Sequence, residues 1–352
     1  MITKTVAFHS IDFLAASDHE YECLSEFKNI LNREYRPDDP PISLEENIQD
    51  WKNIPHFVDY EAYVMWDELK TKLIAECEFA IYNTGDNEHM ADFSIEVLPE
   101  YRRKGIARNA LILLLAFAKK HERRLLISFS TDRIPAAALF LERLGARKGL
   151  EMYVNQLKIS EFNRNLLLDW LEKRRKLKGE FELGYWEGAY PEDRINEVSD
   201  LYQEVANDQP RDTLEMEDSK FSPQIFREIE QNMFARGEQR WTLYLTDSSN
   251  GKLAGLTEVM WNPNRKIIIN QGFTGVYPVY RSKGLGRWLK AEMMQKILKE
   301  RPEVEFIRTR NANSNAPMLK INVEMGFKPY IANTVWQIET EKIENYLLEV
   351  KQ

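Results

Sequence analysis

The chain repeats itself. Val97 to Ala107 (Val-Leu-Pro-Glu-Tyr-Arg-Arg-Lys-Gly-Ile-Ala) recurs as Val276 to Gly286 (Val-Tyr-Pro-Val-Tyr-Arg-Ser-Lys-Gly-Leu-Gly), 179 positions later. Upstream, Lys72 to Glu78 lies over Lys252 to Glu258 at an offset of 180. Downstream, Leu144-Gly145 lies over Met325-Gly326 at 181, and Val154 and Gln156 lie over Val335 and Gln337 at the same offset. Blocks in register along 352 residues imply two copies of one folding unit. Length agrees, because single cores stop growing at roughly 250–300 residues. The division expected is 1–159, a connecting helix over 160–178, and 179–352.

Each copy shows the same order of elements. One or two helices come first, then a loop rich in Pro and acid (Arg36 to Pro41; Asn207 to Asp212). Strand-like runs follow, in the second copy Trp241–Thr246, Leu253–Trp261 and Lys266–Tyr277. The turns between them, Asp247 to Gly251 and Asn262 to Asn264, have hairpin chemistry, so these strands are expected to pair antiparallel. Leu285, Trp288, Leu289, Met293 and Ile297 then mark one face of a helix. A strand (Val304–Thr309), a short helix (Ala316–Met325) and a last strand (Tyr330–Ile338) complete the copy.

Composition removes several function classes. A net charge of −8 argues against a general nucleic-acid or anionic-membrane binder. The longest apolar run, Leu111 to Ala118, is far short of the ~20 residues that span a bilayer. The first residues, as far as Phe13, carry no signal-peptide pattern. Cys23 and Cys77 make neither a disulfide framework nor a zinc spacing, so a cytoplasmic location without a metal is expected.

The chemistry is expected where a strand meets a helix through Val276-Tyr277-Pro278, Arg281-Ser282-Lys283-Gly284-Leu285-Gly286 and Arg287. A helix start leaves about four amides without internal partners, and its dipole favours an anion there. Glycines at 284 and 286 let a bulky anion approach the backbone. The first copy offers Val97 and then Arg102-Arg103-Lys104-Gly105-Ile106-Ala107-Arg108.

Arg281 to Gly286 resembles the pyrophosphate loop of the GNAT superfamily of N-acetyltransferases, and Arg102 to Ala107 resembles a second copy of it. Asn311 and Asn315, followed by Asn322 and Gly326-Phe327, resemble that family's second signature. The likeness covers nearly the whole chain twice and extends to tandem GNAT proteins of the mycothiol synthase type. It implies an α/β (α+β) fold of two GNAT-like domains, each a mixed, mostly antiparallel sheet with helices on both faces. It also implies acetyl-CoA as donor. The coenzyme's arm would lie where the fourth and fifth strands part, beside Val276, with Asn315 on the far side; a plain helix cap is the other reading of Asn315.

The copies differ. Ile134 and Leu141 stand where the second copy has Asn315 and Asn322, so the first domain is expected to be degenerate and the second catalytic. Many family members place a Tyr at the position of Asn322, as the acid toward the thiolate. Asn cannot supply that proton; Tyr330 or Tyr280 are the substitutes considered. All five histidines lie in the first half, which leaves Glu258 as the expected base. Leu256, Glu258 and Met260 share one strand face; if it is inward, burial would raise the Glu258 pKa. Gln271 and Thr274 are further candidates for substrate contact.

The acceptor expected is the primary amine of a small molecule or of an aminoacyl group. An acidic loop, Asp208, Asp212, Glu215, Glu217 and Asp218, either lines its pocket and selects a cation or is simply solvated. Acetyl transfer by direct attack in a ternary complex is the expected function. The alternative is a non-catalytic acyl-CoA sensor. A Rossmann dinucleotide site is disfavoured, because no third glycine follows Gly286 and hairpins precede the loop. Monomer and homodimer both remain open.

Overall fold

The computed structural model describes residues 7–177 and 179–349. The first six residues, and Lys178 at the end of the expected connecting helix, lie outside that range. The first half of the chain builds β1 (His9–Ile11), α1 (Asp18–Tyr35), α2 (Leu44–Lys52), β2 (Val58–Trp66), β3 (Leu73–Tyr82), β4 (Met90–Val97), α3 (Ile106–Lys120), β5 (Leu125–Thr131), α4 (Pro135–Arg143) and β6 (Arg147–Lys158). The second half builds α5 (Arg164–Lys173), β7 (Phe181–Glu187), α6 (Ile195–Asn207), α7 (Pro223–Ala235), β8 (Gln239–Asp247), β9 (Leu253–Trp261), β10 (Ile268–Val276), α8 (Leu285–Glu300), β11 (Phe306–Ala312), α9 (Ala316–Met325), β12 (Lys328–Glu339) and α10 (Thr340–Glu349).

Local signals explain several boundaries. Ser17 and Glu20 form a reciprocal capping box that starts α1. Prolines at the first turn of α7 and α9 follow the N-caps Ser222 and Asn315. The hairpin turns give antiparallel β8–β9 and β9–β10 pairs, as their chemistry requires.

Two compact units emerge, and neither is a contiguous half. Unit 1 comprises residues 1–151, Arg211–Glu217 and 333–352; unit 2 comprises Met152–Pro210 and Asp218–Ala332. The reason is a strand exchange. In unit 1, Asn333–Glu339 of β12 pairs antiparallel with Leu125–Thr131 of β5. In unit 2, Met152–Lys158 of β6 pairs antiparallel with β11. The expected boundaries at 159 and 179 therefore cut across both sheets. The expected connecting helix is also shorter: α5 ends at Lys173, followed by a 3-10 turn, Arg174–Leu177. Leu167 and Trp170 of α5 are buried in the core of unit 2, so α5 is part of that domain and not a free linker.

Within unit 1, β3 separates two apolar layers. Cys77, Phe79 and Ile81 pack with α3, α4 and α10. Ala62 and Val64 of the neighbouring β2 pack with α1 and α2 on the other face. Cys23 and Cys77 are free and buried. Unit 2 repeats the plan, with α5 and α8 over one face and α6 and α7 over the other. Strand β7, which sequence reading did not anticipate, extends the sheet of unit 2 by pairing with β8. Among the described residues no helix is long and apolar enough to cross a membrane.

Candidate functional site

The two strand-to-helix turns are nearly superimposable in backbone terms. Each begins with a short 3-10 turn, Pro99–Tyr101 and Pro278–Tyr280. Arg103 and Ser282 then take left-handed φ values of 62° and 65°. Gly105 and Gly284 follow as N-caps at φ 81° and 87°. Neither helix start is closed by a side-chain hydrogen bond. A Cβ built on Gly284 meets nothing within 4 Å, so the approach to the α8 amides is open. First-turn amides unserved by side chains are the feature the sequence reading expected this loop to offer an anion.

The side chains of the loop are used differently than expected. Arg281 donates from Nε to the Val276 carbonyl at 3.2 Å and pairs with Asp208. Arg102 does the same with the Val97 carbonyl at 3.0 Å and binds both oxygens of Glu34 at 2.5–2.6 Å. Arg287 is held by Glu324 through two bonds of 2.8 Å. Lys283 lies 3.4 Å from Glu180, and Lys104 lies over the Tyr101 ring. The leading arginines thus fasten the turn to the preceding strand and the first long helix.

Beside each turn the parallel strands part. Ile268–Gln271 of β10 pairs with β11, and Met90–Asp92 of β4 pairs with β5; beyond those residues the pairing stops. In unit 2 a bulge between Gln271 and Thr274 marks the separation. The Tyr277 amide donates to Ala254 at 3.0 Å. Ladder alternation therefore turns the Val276 amide toward the gap. In unit 1, Leu98 donates to Ile74 at 3.0 Å, which places Val97 in the same way.

Glu258 stands next to this gap on β9. It is buried, on the face covered by α6 and α7, which is the inward one of the two placements its strand pattern left open. Its Oε2 accepts from the Tyr190 hydroxyl at 2.6 Å, and its Oε1 accepts from Tyr202. Burial first, and the Glu258 carboxylate second, push both phenols well above the usual tyrosine range. They are donors here, not proton sources. A Cβ on Gly272, in the bulge, would come within 3.1 Å of Glu258 Oε1. Arg240 lies 3.6 Å over the Tyr190 ring and is itself paired with Glu230. Sequence reading missed Tyr190 and Tyr202, since one lies in a loop and the other sits on α6 with no motif around it.

The remaining candidates divide. Asn315 caps α9 by accepting from the Met318 amide at 3.3 Å. Asn322 donates to Asn311 at 2.7 Å, and its own Oδ1 is buried without a hydrogen-bond partner. Tyr330 lies under the Arg308 guanidinium at 4.7 Å, and Arg308 donates to Gln156 at 2.8 Å. Tyr280 donates to Asp247 at 2.9 Å. Gln271 and Thr274 bond to Thr257 and to the Glu258 carbonyl, so both are held by β9. Leu285 is a core residue. The structure therefore joins Glu258 to two tyrosines the sequence did not offer, and not to Asn322 or Tyr330.

The acidic loop does not act as one lining. Asp208 holds Arg281. Arg211–Glu217 belongs to unit 1, where Glu215 pairs with Arg124 and Glu217 accepts from the Asn87 amide at 3.0 Å. Arg124 and, next, burial set the balance on Glu215, whose carboxyl is held below the usual range.

Comparison with known proteins places this geometry. Residues 24–146 match the model of the Acetyltransferase (GNAT) family. No curated protein sequence matches the chain significantly. Among solved structures, a tandem GNAT protein from the clavulanic acid biosynthesis pathway, determined without AcCoA, is 20% identical with a TM-score of 0.77, over 95% of this chain and 98% of that one. A GCN5-related N-acetyltransferase from Sphaerobacter thermophilus is 12% identical with a TM-score of 0.63, over 95% of both chains. A glucosamine N-acetyltransferase region of a fungal multi-domain GH3 β-N-acetylglucosaminidase is 12% identical with a TM-score of 0.65, over 95% of this chain and 38% of that one. Residues 24–146 therefore match a GNAT acetyltransferase domain, and the chain has the fold of a tandem GNAT protein.

Proposed function

We propose that the chain transfers an acetyl group from acetyl-CoA to the primary amine of a small molecule, and that unit 2 carries the reaction. One observation supports this above the others. An uncapped helix start at Gly284 follows β10, the same strand parts from β11 after Gln271, and the buried carboxylate of Glu258 lies beside Gly272 in its bulge. Acetyl-CoA would supply the acetyl group as an activated thioester. The amides of Leu285, Gly286 and Arg287 would hold its diphosphate, and the Val276 amide would donate to the carbonyl oxygen that gains charge. Glu258 would take the proton from the acceptor's ammonium, directly or through a water, so that the amine nitrogen can attack the carbonyl carbon as the thiolate leaves. The structure gives the leaving thiolate no acid at Asn322.

A second reading, acyl-CoA binding without turnover, is favoured by the occupation of both Glu258 oxygens by tyrosine hydroxyls. Thiol release from acetyl-CoA over a panel of amines separates the two. Release with any amine supports transfer. Tight binding of CoA with no release supports the sensor.

A further inference from the structure

Tyr190 belongs to the loop between β7 and α6, yet a buried ion cluster fastens it. Glu230 on α7 is 3% exposed and accepts from the Tyr190 amide at 2.8 Å. Arg227, also on α7, donates to the Tyr190 carbonyl at 2.8 Å and to Glu230 at 2.5 Å. Arg240 on β8 is 4% exposed. It pairs with Glu230 and donates to the Gly188 carbonyl at 3.0 and 3.1 Å, while its own carbonyl accepts from the Gly188 amide at 2.9 Å. Its guanidinium lies 3.6 Å over the Tyr190 ring, whose hydroxyl is the one bonded to Glu258. The cation therefore reaches Glu258 only across an aromatic ring.

The sheet register does not force this arrangement. Thr242 pairs with Glu258 and Arg240 with Met260, so Arg240 and Glu258 are diagonal neighbours on one face, a separation that long side chains span. Arg240 nevertheless pairs with Glu230 and not with Glu258. Unit 1 is built the other way round. Tyr60 pairs with Ala80 as Arg240 pairs with Met260, and the Lys28 ammonium touches Glu78 directly at 2.8 Å. A cation in contact with a carboxylate holds it ionised and weakens it as a base. A cation over the face of a phenol instead makes its O–H a stronger donor. Burial first, then the Glu258 charge, raise the Tyr190 phenol, and Arg240 is the first of the pulls the other way. We propose that Arg240 is a positioning residue for acyl transfer: clamped by Glu230, it acts through the Tyr190 ring to keep that hydroxyl on Glu258 without pairing with the carboxylate itself. This rests on Glu258 being the base.

Carbon-13 at the tyrosine Cζ reports how strongly each phenol donates, and Tyr190→Phe assigns the Tyr190 signal in the full chain. Arg240→Met should shift and broaden that signal and leave the signal of Tyr280, which bonds to Asp247, unmoved. Arg240→Lys keeps a cation at the ring and should bring the Tyr190 signal most of the way back. With any amine that supports thiol release from acetyl-CoA, Arg240→Met should lower kcat roughly tenfold and leave the KM for acetyl-CoA unchanged. In a Tyr190→Phe background it should have no further effect. An unmoved Tyr190 signal in Arg240→Met, or losses from the two substitutions that multiply, would overturn the proposal. If Arg240→Met does not fold, Glu230→Gln releases the same clamp, and an unmoved Tyr190 signal there overturns it equally. Full turnover in Glu258→Gln ends the base reading, whereas an unmoved Tyr190 signal beside a normal loss in Glu258→Gln ends this proposal alone.

Discussion

Tyr190 gives its hydroxyl hydrogen to Glu258 Oε2 at 2.6 Å, across 68 positions of sequence. With Tyr202 on the other oxygen, the carboxylate is fixed in place before any substrate arrives. Glu258→Gln keeps the shape of the side chain and removes its basicity. Turnover is expected to fall by ~10²–10⁴, with CoA affinity unchanged. Steady-state rates and calorimetry on the same preparation check both halves of that statement. Tyr190→Phe removes one donor from a buried charge and is expected to cost roughly 1.5–3 kcal/mol, read from urea unfolding.

The loops can be tested one at a time. Gly284→Glu puts a carboxylate at the mouth of the α8 amides and should abolish CoA binding in unit 2. Gly105→Glu should do the same for α3. Because φ is 87° at Gly284, any side chain there adds strain. Gly284→Ala carries that strain without the charge and should retain binding. Titration stoichiometry for the two Glu variants shows which helix start holds the coenzyme; unaltered binding in both would remove the cradle from the reading.

Lys290 is a buried lysine in the core face of α8, where the first copy has Leu111. Burial lowers its pKa to about 8. The unfolded chain holds this proton up to the ordinary lysine range, so stability rises between pH 8 and about 10.5 and is lost as pH falls through 8. Lys290→Met is expected to stabilise unit 2 at pH 7 by up to the order of 3 kcal/mol, and the gain should shrink toward pH 10. Melting curves across that range decide it; a destabilised variant at pH 7 would mean the ammonium has a partner that matters.

Glu76 runs the other way. Its carboxyl is raised, so the native state holds a proton that the unfolded chain releases near pH 4.5. Its contribution is full below that value and is lost as pH rises toward 8. Glu76→Gln imitates the protonated form and should flatten the decline in melting temperature between pH 5 and 8. An unchanged slope would show that the decline has another source.

Much of the site was legible because it is local. The Gly284 turn and the hairpins between β8, β9 and β10 follow from short patterns whose geometry is set by neighbours in sequence, whereas the alternation around Glu258 names its face without saying whether that face is inward. What was not legible depends on distance along the chain. The alternation in Ala75-Glu76-Cys77-Glu78 shows that the two glutamates share a face but not that Lys28 waits on it. Arg281 reads as a phosphate ligand until Asp208, 73 positions earlier, is found against it. The acidic loop reads as one surface, yet Asp208 and Glu215 serve different units. Strand periodicity likewise specifies β6 and β12 without naming their partners, which is why the domain boundaries moved.

The exchanged strands have a consequence for how the protein is made. Thr131 finds its partner Asn333 only after about 200 further residues have been synthesised, a delay of roughly 10–40 s at ordinary elongation rates. Through that interval the outer edge of β5 is a bare ladder of amides and carbonyls, the kind of surface that invites a stray strand. Unit 1 therefore cannot complete its sheet until the end of the chain has been made, and a gene cut at its midpoint would yield two fragments that each lack the piece the other carries.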